Sequence, residues 1–259
     1  MTAQRRSQDP VADFLADLDL ASSALLLDVD GTLIDIGPTP DDVHVPDELR
    51  AALARIAELS GGAVALVSGR LISAIDNLFA PLKLSAVGAH GAELRVAAGP
   101  VRVMAKPLPD DMRHRLTRAA TSGSGVIAED KGYSIALHFR AAPKEEERLR
   151  RHVEACVAAF PSEPVKILPG KAMIELKRAG IDKATGVRAL MAEPPFKDRT
   201  PVFIGDDVTD EAVFAALPEL KGLGFSVDRH FTGLAGIFDS PADVRAALAR
   251  LAVNGSRLP

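Results

Sequence analysis

Acidic side chains follow two apolar segments that lie far apart in the sequence. Asp28 and Asp30 come directly after the apolar run 24–27, with one apolar residue between them. A second apolar run, 201–204, leads through a glycine into another acidic cluster, which consists of Asp206, Asp207, Asp210 and Glu211. Carboxylates placed so closely repel one another unless a cation lies between them. Because Mg²⁺ prefers hard oxygen ligands, the pattern predicts a magnesium site formed by Asp28, the backbone carbonyl of Asp30, and Asp206.

Each acidic cluster also has a simpler interpretation. A solvated acidic turn would account for Asp28 and Asp30, and helix capping would account for Asp210 and Glu211. The run 24–27 argues against an exposed turn, since a continuous apolar segment is typical of a strand buried on both faces of a sheet. Capping alone does not require four carboxylates.

Two further positions could bind a phosphate group. Ser68-Gly69-Arg70 follows the apolar segment 63–67 and offers a hydroxyl and backbone N–H groups at a predicted helix N-terminus. Lys183 stands at the start of another predicted helix, where its ammonium group can reach a transferring phosphoryl group. Taken alone, the serine loop is a weak signal and the lysine is an ordinary surface residue.

The elements around these residues predict the fold. Residues 24–28 and 63–67 read as buried strands, and 47–60 and 71–79 read as helices, which gives a βαβα succession. The same alternation resumes later with helices at 182–191, 209–217 and 241–253 and strands at 201–205 and 224–227. The prediction is an α/β fold with a doubly wound, Rossmann-like parallel-sheet core, which places ligands at the carboxyl ends of its strands.

The segment 101–177 interrupts this alternation. Two of its predicted strands are joined by a tight Lys131-Gly132 turn, which indicates an antiparallel hairpin and an α+β insertion. We therefore expect three parts: an N-terminal arm over 1–20 with a short helix, a core made of 21–100 and 178–259, and an inserted α+β cap over 101–177.

Composition excludes several classes of function. The chain carries 31 basic and 35 acidic side chains, a formal charge of −4, which argues against a nucleic-acid partner. Cys156 is the single cysteine, so an intramolecular disulfide and a thiolate zinc cluster are both excluded. No uncharged apolar run of about 18 residues occurs, which predicts a cytoplasmic protein without a membrane partner.

The four strand-end and helix-start motifs together resemble those of the haloacid-dehalogenase-like phosphatase superfamily, in order and in spacing. The resemblance implies that Asp28 is the nucleophile that forms an aspartyl-phosphate and that Asp30 is the general acid and then the general base. Ser68 and Lys183 would hold the phosphoryl oxygens. Asp206 would ligate Mg²⁺, while Asp207 and Asp210 would support the metal site from behind.

Three further segments, 129–140, 170–175 and 205–211, look like signatures of trehalose-6-phosphate phosphatases, and the resemblance extends over about residues 22–252. It implies a magnesium-dependent phosphomonoesterase that converts trehalose 6-phosphate to trehalose, with a cap that closes over the sugar and a functional link to a trehalose-6-phosphate synthase. The substrate-binding residues that it implies are Ser68, Gly69, Arg70, Glu129, His138, Arg140, Lys171 and Glu175.

Other interpretations remain open at this point. The core motifs do not distinguish a trehalose 6-phosphate hydrolase from an enzyme acting on sucrose phosphate, mannosyl-3-phosphoglycerate or a hexose phosphate. The cap residues could be ordinary polar pairs on the faces and edges of strands. A sensor that binds a phosphosugar without turnover is the alternative from another class, but it would not need the acid at Asp30.

Overall fold

The computed structural model describes residues 10–37, 43–121, 123–170 and 172–255, which form two compact units. The core unit consists of the described residues up to Arg102 and from Lys183 onward, and the inserted unit is Val103–Asp182. Both boundaries fall slightly later along the chain than the sequence indicated. The role of the inserted unit in substrate choice stays a prediction.

The strands are β1 (Ser23–Leu27), β2 (Val64–Val67), β3 (Ser85–Gly88), β4 (Glu93–Arg95), β5 (Arg102–Val103), β6 (Ile127–Asp130), β7 (Ser134–His138), β8 (Val165–Gly170), β9 (Met173–Arg178), β10 (Thr200–Gly205), β11 (Leu223–Val227) and β12 (Gly236–Phe238). The α-helices are α1 (Pro10–Ala16), α2 (Asp47–Leu59), α3 (Ile72–Phe79), α4 (Asp110–Thr117), α5 (Glu146–Ala159), α6 (Lys183–Met191), α7 (Glu211–Ala216) and α8 (Pro241–Asn254). Among the described residues, no helix is both long enough and apolar enough to cross a membrane.

The core unit is built on a sheet of eight strands in the order β12-β11-β10-β1-β2-β3-β4-β5. β1 is central and entirely buried, and it pairs in parallel with both β10 and β2. The predicted α/β fold with a parallel-sheet core is confirmed. One edge differs from the prediction, because β4 runs antiparallel to β3 and because β5, which lies within the predicted insertion 101–177, belongs to this sheet.

The described part of the predicted N-terminal arm, from Pro10 onward, packs against the core unit. Leu15 of α1 is fully buried, and Leu18 and Leu20 lie in the same apolar cluster as the residues of β1 and α8. Asp13 of α1 also forms a 2.6 Å ion pair with Arg250 of α8. Pairing with α8 therefore gives the segment a place that its short apolar pattern alone does not reveal.

The inserted unit has an antiparallel sheet in the order β6-β7-β9-β8. Side chains alternate across this sheet, as the period of a strand requires. Ile135, Leu137 and Leu176 point to the apolar cluster that they share with α4 and α5. Glu129 and Glu175 lie on the opposite face, because both pair with the same residue of β7.

Candidate active site

The acidic residues of the two apolar segments meet at one edge of the core sheet. β1 and β10 are parallel neighbours whose last paired residues are Leu27 and Ile204, so Asp28 and Asp206 follow at the same edge. Carboxylate oxygens of Asp28, Asp206 and Asp210 lie within 4.8 Å of one another. The structure brings Asp28 and Asp206 together as expected, and Asp210 lies within the same distance of both. The supporting role of Asp210 stays a prediction.

The turn after β1 is shaped to bring these carboxylates together. Gly31 has φ +82°, and a Cβ atom at this position would lie 2.1 Å from Oδ2 of Asp206. The hydroxyl of Thr32 lies 3.0 Å from Oδ1 of Asp206 and 3.4 Å from Oδ2 of Asp28. Its hydrogen bond is therefore shared by the aspartates that follow β1 and β10. Thr32 is a residue of this site that sequence reasoning missed, although it lies only two positions after Asp30.

Lys183 is buried within the acidic cluster and is not a surface residue. Its Nζ atom donates to Oδ1 of Asp28 at 2.6 Å and to Oδ1 of Asp210 at 2.7 Å. Burial by itself would lower the pKa of Lys183, but the charges of Asp210 and Asp28 raise it above its ordinary value. The side chain is therefore a fixed cation beside Asp28.

Asp210 combines capping with contact to Lys183. Its Oδ2 atom accepts hydrogen bonds from the backbone N–H groups of Asp206 and Asp207, both at 3.0 Å, while Oδ1 accepts from Lys183. A Cβ atom at Gly205 would lie 2.6 Å from the Asp210 carboxyl group, so the glycine makes room for it. Asp210 therefore caps this helix start and also contacts Lys183, and its role in the metal site stays a prediction.

Asp207 is more exposed than the other aspartates of the cluster. Its side chain accepts from the backbone N–H of Asp210 in a reciprocal capping arrangement, and Oδ1 lies 3.9 Å from the guanidinium of Arg229. These contacts place Asp207 at the rim of the site. The role of supporting metal-bound water stays a prediction.

The acidic cluster carries more negative charge than Lys183 offsets. Burial, with the neighbouring charge of Asp210, raises the pKa of Asp28 well above its ordinary value and raises that of Asp206 to about 6. One ammonium group faces three carboxylates, and all of the facing acidic atoms are hard oxygens. A divalent cation fits this donor set, because it would offset the remaining negative charge.

Asp30 lies apart from the three clustered carboxylates. Arg70 binds it through both oxygens, with Nε at 2.7 Å from Oδ2 and Nη2 at 2.6 Å from Oδ1. The Asp30 side chain is 36% exposed, against 5% for that of Asp28. Arg70 therefore contacts the predicted proton carrier, and its own role in substrate binding stays a prediction.

The serine loop lies at the same edge of the sheet. Ser68 directly follows β2, the other parallel neighbour of β1, and its buried hydroxyl accepts a hydrogen bond from the N–H of Arg70 at 3.1 Å. Helix α3 starts at Ile72, one residue later than predicted, so Ser68, Gly69 and Arg70 all belong to the loop. Its phosphate-binding role stays a prediction.

Polar side chains of the inserted unit form a second cluster on one face of its sheet. Glu175 is 1% exposed and accepts from the hydroxyl of Ser134 at 2.6 Å and from Nζ of Lys131 at 3.4 Å. Glu129 contacts Nε2 of His138 at 3.1 Å and Nζ of Lys131 at 3.7 Å. Although burial alone would raise the pKa of Glu129, its hydrogen bond with His138 and the charge of Lys131 lower it.

The sequence identified only part of this second cluster. Sequence reasoning missed Lys131 and Ser134, although Lys131 belongs to the predicted turn and Ser134 to the segment 129–140. Arg140 is exposed and lies two residues beyond the end of β7, and its substrate-binding role stays a prediction. Lys171 lies outside the described residues.

Comparison with known proteins finds relatives over most of the chain. A family model described as trehalose-phosphatase matches residues 26–236. A probable trehalose-phosphate phosphatase of Sinorhizobium fredii is 40% identical over 219 residues, which cover 83% of this chain and 82% of that protein. The trehalose-6-phosphate phosphatase of Escherichia coli is 37% identical over 209 residues, which cover 80% of this chain and 78% of that protein.

A solved structure adds the fold. The C-terminal domain of Candida albicans trehalose-6-phosphate phosphatase matches with a TM-score of 0.76 and 19% identity, covering 95% of this chain and 97% of that one. The span matched by the family model contains both acidic strand ends, the serine loop and Lys183. This chain therefore belongs to the trehalose-phosphatase family.

Proposed function

We propose that this protein is a Mg²⁺-dependent phosphomonoesterase that hydrolyses trehalose 6-phosphate to trehalose and phosphate. The observation that carries the proposal is the buried contact of Lys183 with Asp28 inside a group of three carboxylates. A nucleophilic carboxylate, a fixed cation and a divalent-metal site are what phosphoryl transfer to an aspartate requires. Membership of the trehalose-phosphatase family supports trehalose as the sugar part of the substrate.

Asp28 is the proposed nucleophile. One of its oxygens attacks phosphorus, the bond to the sugar oxygen breaks, and an aspartyl-phosphate forms. Burial disfavours the ionised carboxylate of Asp28, and the charge of Lys183 at 2.6 Å offsets part of this effect. When bound between Asp28 and Asp206, Mg²⁺ would neutralise charge on the transferring group.

Asp30 is the proposed proton carrier. It gives a proton to the leaving sugar oxygen and then takes one from the water that hydrolyses the aspartyl-phosphate. A guanidinium can only donate hydrogen bonds, and Arg70 occupies both oxygens of Asp30. The proton is therefore carried on a lone pair of an Asp30 oxygen that Arg70 does not use.

The polar face of the inserted unit is the proposed site for the part of the sugar remote from the phosphate. Glu175, Glu129 and Lys131 offer charged acceptors and a donor, which suit the hydroxyl groups of a disaccharide. The hydroxyl of Ser134 donates to Glu175 and holds its carboxylate in position. Since the substrate is a phosphorylated disaccharide, a glycosyltransferase that uses a sugar phosphate as acceptor must supply it, which keeps a trehalose-6-phosphate synthase as a proposed functional link.

Phosphate release from a panel of sugar phosphates, with and without EDTA, tests the proposal. We expect the highest kcat/KM with trehalose 6-phosphate, lower values with sucrose 6-phosphate, mannosyl-3-phosphoglycerate and glucose 6-phosphate, and recovery after EDTA on addition of Mg²⁺. A higher kcat/KM with another sugar phosphate would change the proposed substrate but not the proposed reaction. Binding of all sugars without release of phosphate would support the sensor alternative.

A further inference from the structure

We infer that His90 is a positioning residue for the serine loop, held in a left-handed turn that links this loop to the helix of Lys183. The inference rests on the proposed function, because it concerns how the loop receives the phosphoryl group. The turn consists of Gly88, which is the last residue of β3, and of Ala89, His90 and Gly91 after it.

Two backbone hydrogen bonds connect this turn to the serine loop, which consists of Ser68, Gly69 and Arg70. The N–H of Ala89 donates to the carbonyl of Arg70 at 2.6 Å, and the N–H of His90 donates to the carbonyl of Ser68 at 3.1 Å. Just beyond the turn, Oε2 of Glu93 accepts from the N–H of Ile72 at 2.8 Å and so caps α3. The loop and the start of its helix therefore take their position from the segment after β3.

The His90 ring sets the distance between the turn and Gly69. The side chain is more than nine-tenths buried, and a Cβ atom on Gly69 would lie 2.5 Å from both Cε1 and Nε2 of the imidazole. Real Cβ contacts do not come so close, so the ring lies directly against the Gly69 backbone. Any change in the size of this ring moves the middle of the loop that is proposed to bind phosphate.

The turn itself is in an uncommon conformation. Ala89, His90 and Gly91 have φ values of +47°, +53° and +97° in succession. Two consecutive left-handed residues other than glycine cost on the order of 1–3 kcal/mol each, and such strain persists where the surroundings hold it. The contact with Gly69 and the two hydrogen bonds to the loop are part of those surroundings.

The other side of the turn contacts the helix of Lys183. A Cβ atom on Gly186 of α6 would lie 2.3 Å from Cγ1 of Val87 and 3.2 Å from Cα of Gly91. Close packing at Gly186 thus ties α6, which begins with Lys183, to the same turn. His90 thereby couples the position of the serine loop to that of the buried ammonium group.

Kinetics of His90→Asn test the inference, because asparagine tolerates the left-handed backbone and lacks the ring. We expect kcat/KM to fall about 10- to 100-fold on trehalose 6-phosphate and to the same extent on p-nitrophenyl phosphate, since both carry the same phosphoryl group. The inhibition constant of inorganic phosphate should rise. Val244→Ala in α8, which removes buried volume away from the site, is the control for lost stability and should leave these constants unchanged.

A double-mutant cycle tests the contact itself. Gly69→Ala alone should be strongly damaging because its Cβ meets the ring, whereas in His90→Ala the same change should be tolerated. We expect the fold-loss caused by Gly69→Ala to be at least about 10-fold smaller in the His90→Ala background, in kcat/KM and in calorimetric affinity for inorganic phosphate. Additive effects, or normal constants in His90→Asn, would overturn the inference. If the wild type hydrolyses neither substrate, the proposed function fails, and phosphate affinity and thermal unfolding still decide whether His90 positions the loop.

Discussion

Asp28 and Asp30 have different surroundings, which predicts different outcomes for the same substitution. Asp28→Asn removes the nucleophile and should abolish turnover of every phosphate ester. Asp30→Asn removes the proton carrier and should lower kcat on trehalose 6-phosphate by about 10²- to 10⁴-fold. Its effect on p-nitrophenyl phosphate should be much smaller, because p-nitrophenolate leaves without a proton. Near-normal turnover of that ester by Asp28→Asn would show that another residue attacks phosphorus.

Asp206 makes the stability of the metal-free protein depend on pH. Its folded-state pKa is raised to about 6 from 3.8, so its favourable contribution is complete below the unfolded value and is lost as the pH rises through about 6. Asparagine has no carboxyl group to ionise, so Asp206→Asn keeps the stability that the wild type loses as the pH rises. In EDTA we expect the variant to gain stability over the wild type, by on the order of 1 kcal/mol at pH 7.5, and little or nothing at pH 4.5. Urea unfolding at both pH values measures the difference, and saturating Mg²⁺ should reverse it at pH 7.5.

Residue types at strand ends were the part of the site that sequence could predict. Asp28 and Asp206 follow unmistakable buried strands, and parallel neighbours bring such positions to one edge. Thr32 and His90 gave no comparable signal, since a threonine in a turn and a histidine after a weak strand are common. Their significance depends on contacts between residues distant in sequence, such as that of Thr32 with Asp206.

At the scale of elements, the turn after β1 depends on a glycine for two reasons. Gly31→Ala would strain a residue at φ +82° and place a Cβ atom 2.1 Å from the Asp206 carboxylate. Gly233 has φ +85°, and a Cβ atom there would have no heavy atom within 4 Å. Gly233→Ala is therefore the matched control, since it strains the backbone without a steric clash. Both variants should lose about 1–2 kcal/mol of stability from strain. We expect only Gly31→Ala to lose stabilisation by Mg²⁺ and phosphatase activity, as thermal unfolding with added Mg²⁺ and phosphate release would show.

The sheet of the inserted unit should affect substrate choice without affecting the chemistry. Glu175→Ala should lower kcat/KM for trehalose 6-phosphate by about 10- to 1,000-fold and barely change hydrolysis of p-nitrophenyl phosphate. Glu147→Ala, at an exposed carboxylate on α5 of the same unit, is the matched control and should change neither. Equal losses on both substrates would mean that Glu175 supports the fold, in which case its contact with Ser134 is structural.

Element types were predictable where apolar periodicity was strong. Predicted helices 47–60 and 241–253 differ from α2 and α8 by a single residue at one end. β3 escaped notice because Ser85–Gly88 is short and built from small residues, and its burial comes from neighbours. β5 was assigned to the wrong sheet, since the apolar pattern around Val101 does not specify a partner strand.

At the scale of the whole molecule, the core continues into the segment expected to be an arm. An amphipathic stretch at a chain end predicts a helix, but only tertiary packing shows what that helix covers. Here Leu15 of α1 is fully buried in the main apolar cluster, which also contains Leu251 of α8. The first helix is thus part of what stabilises the sheet that carries the site.

Leu15→Ala should therefore destabilise the entire core unit. Removing a fully buried leucine side chain costs about 2–5 kcal/mol, because transfer free energy is lost and a cavity remains. Val253→Ala in α8, at a side chain that is 58% exposed, is the matched control and should cost less than about 0.5 kcal/mol. Urea unfolding gives both values, and kcat/KM below the unfolding transition should be unchanged in either variant because neither residue lies in the site. A loss below 1 kcal/mol for Leu15→Ala would show that α1 contributes little to the core and that the segment behaves as the separate arm predicted from the sequence.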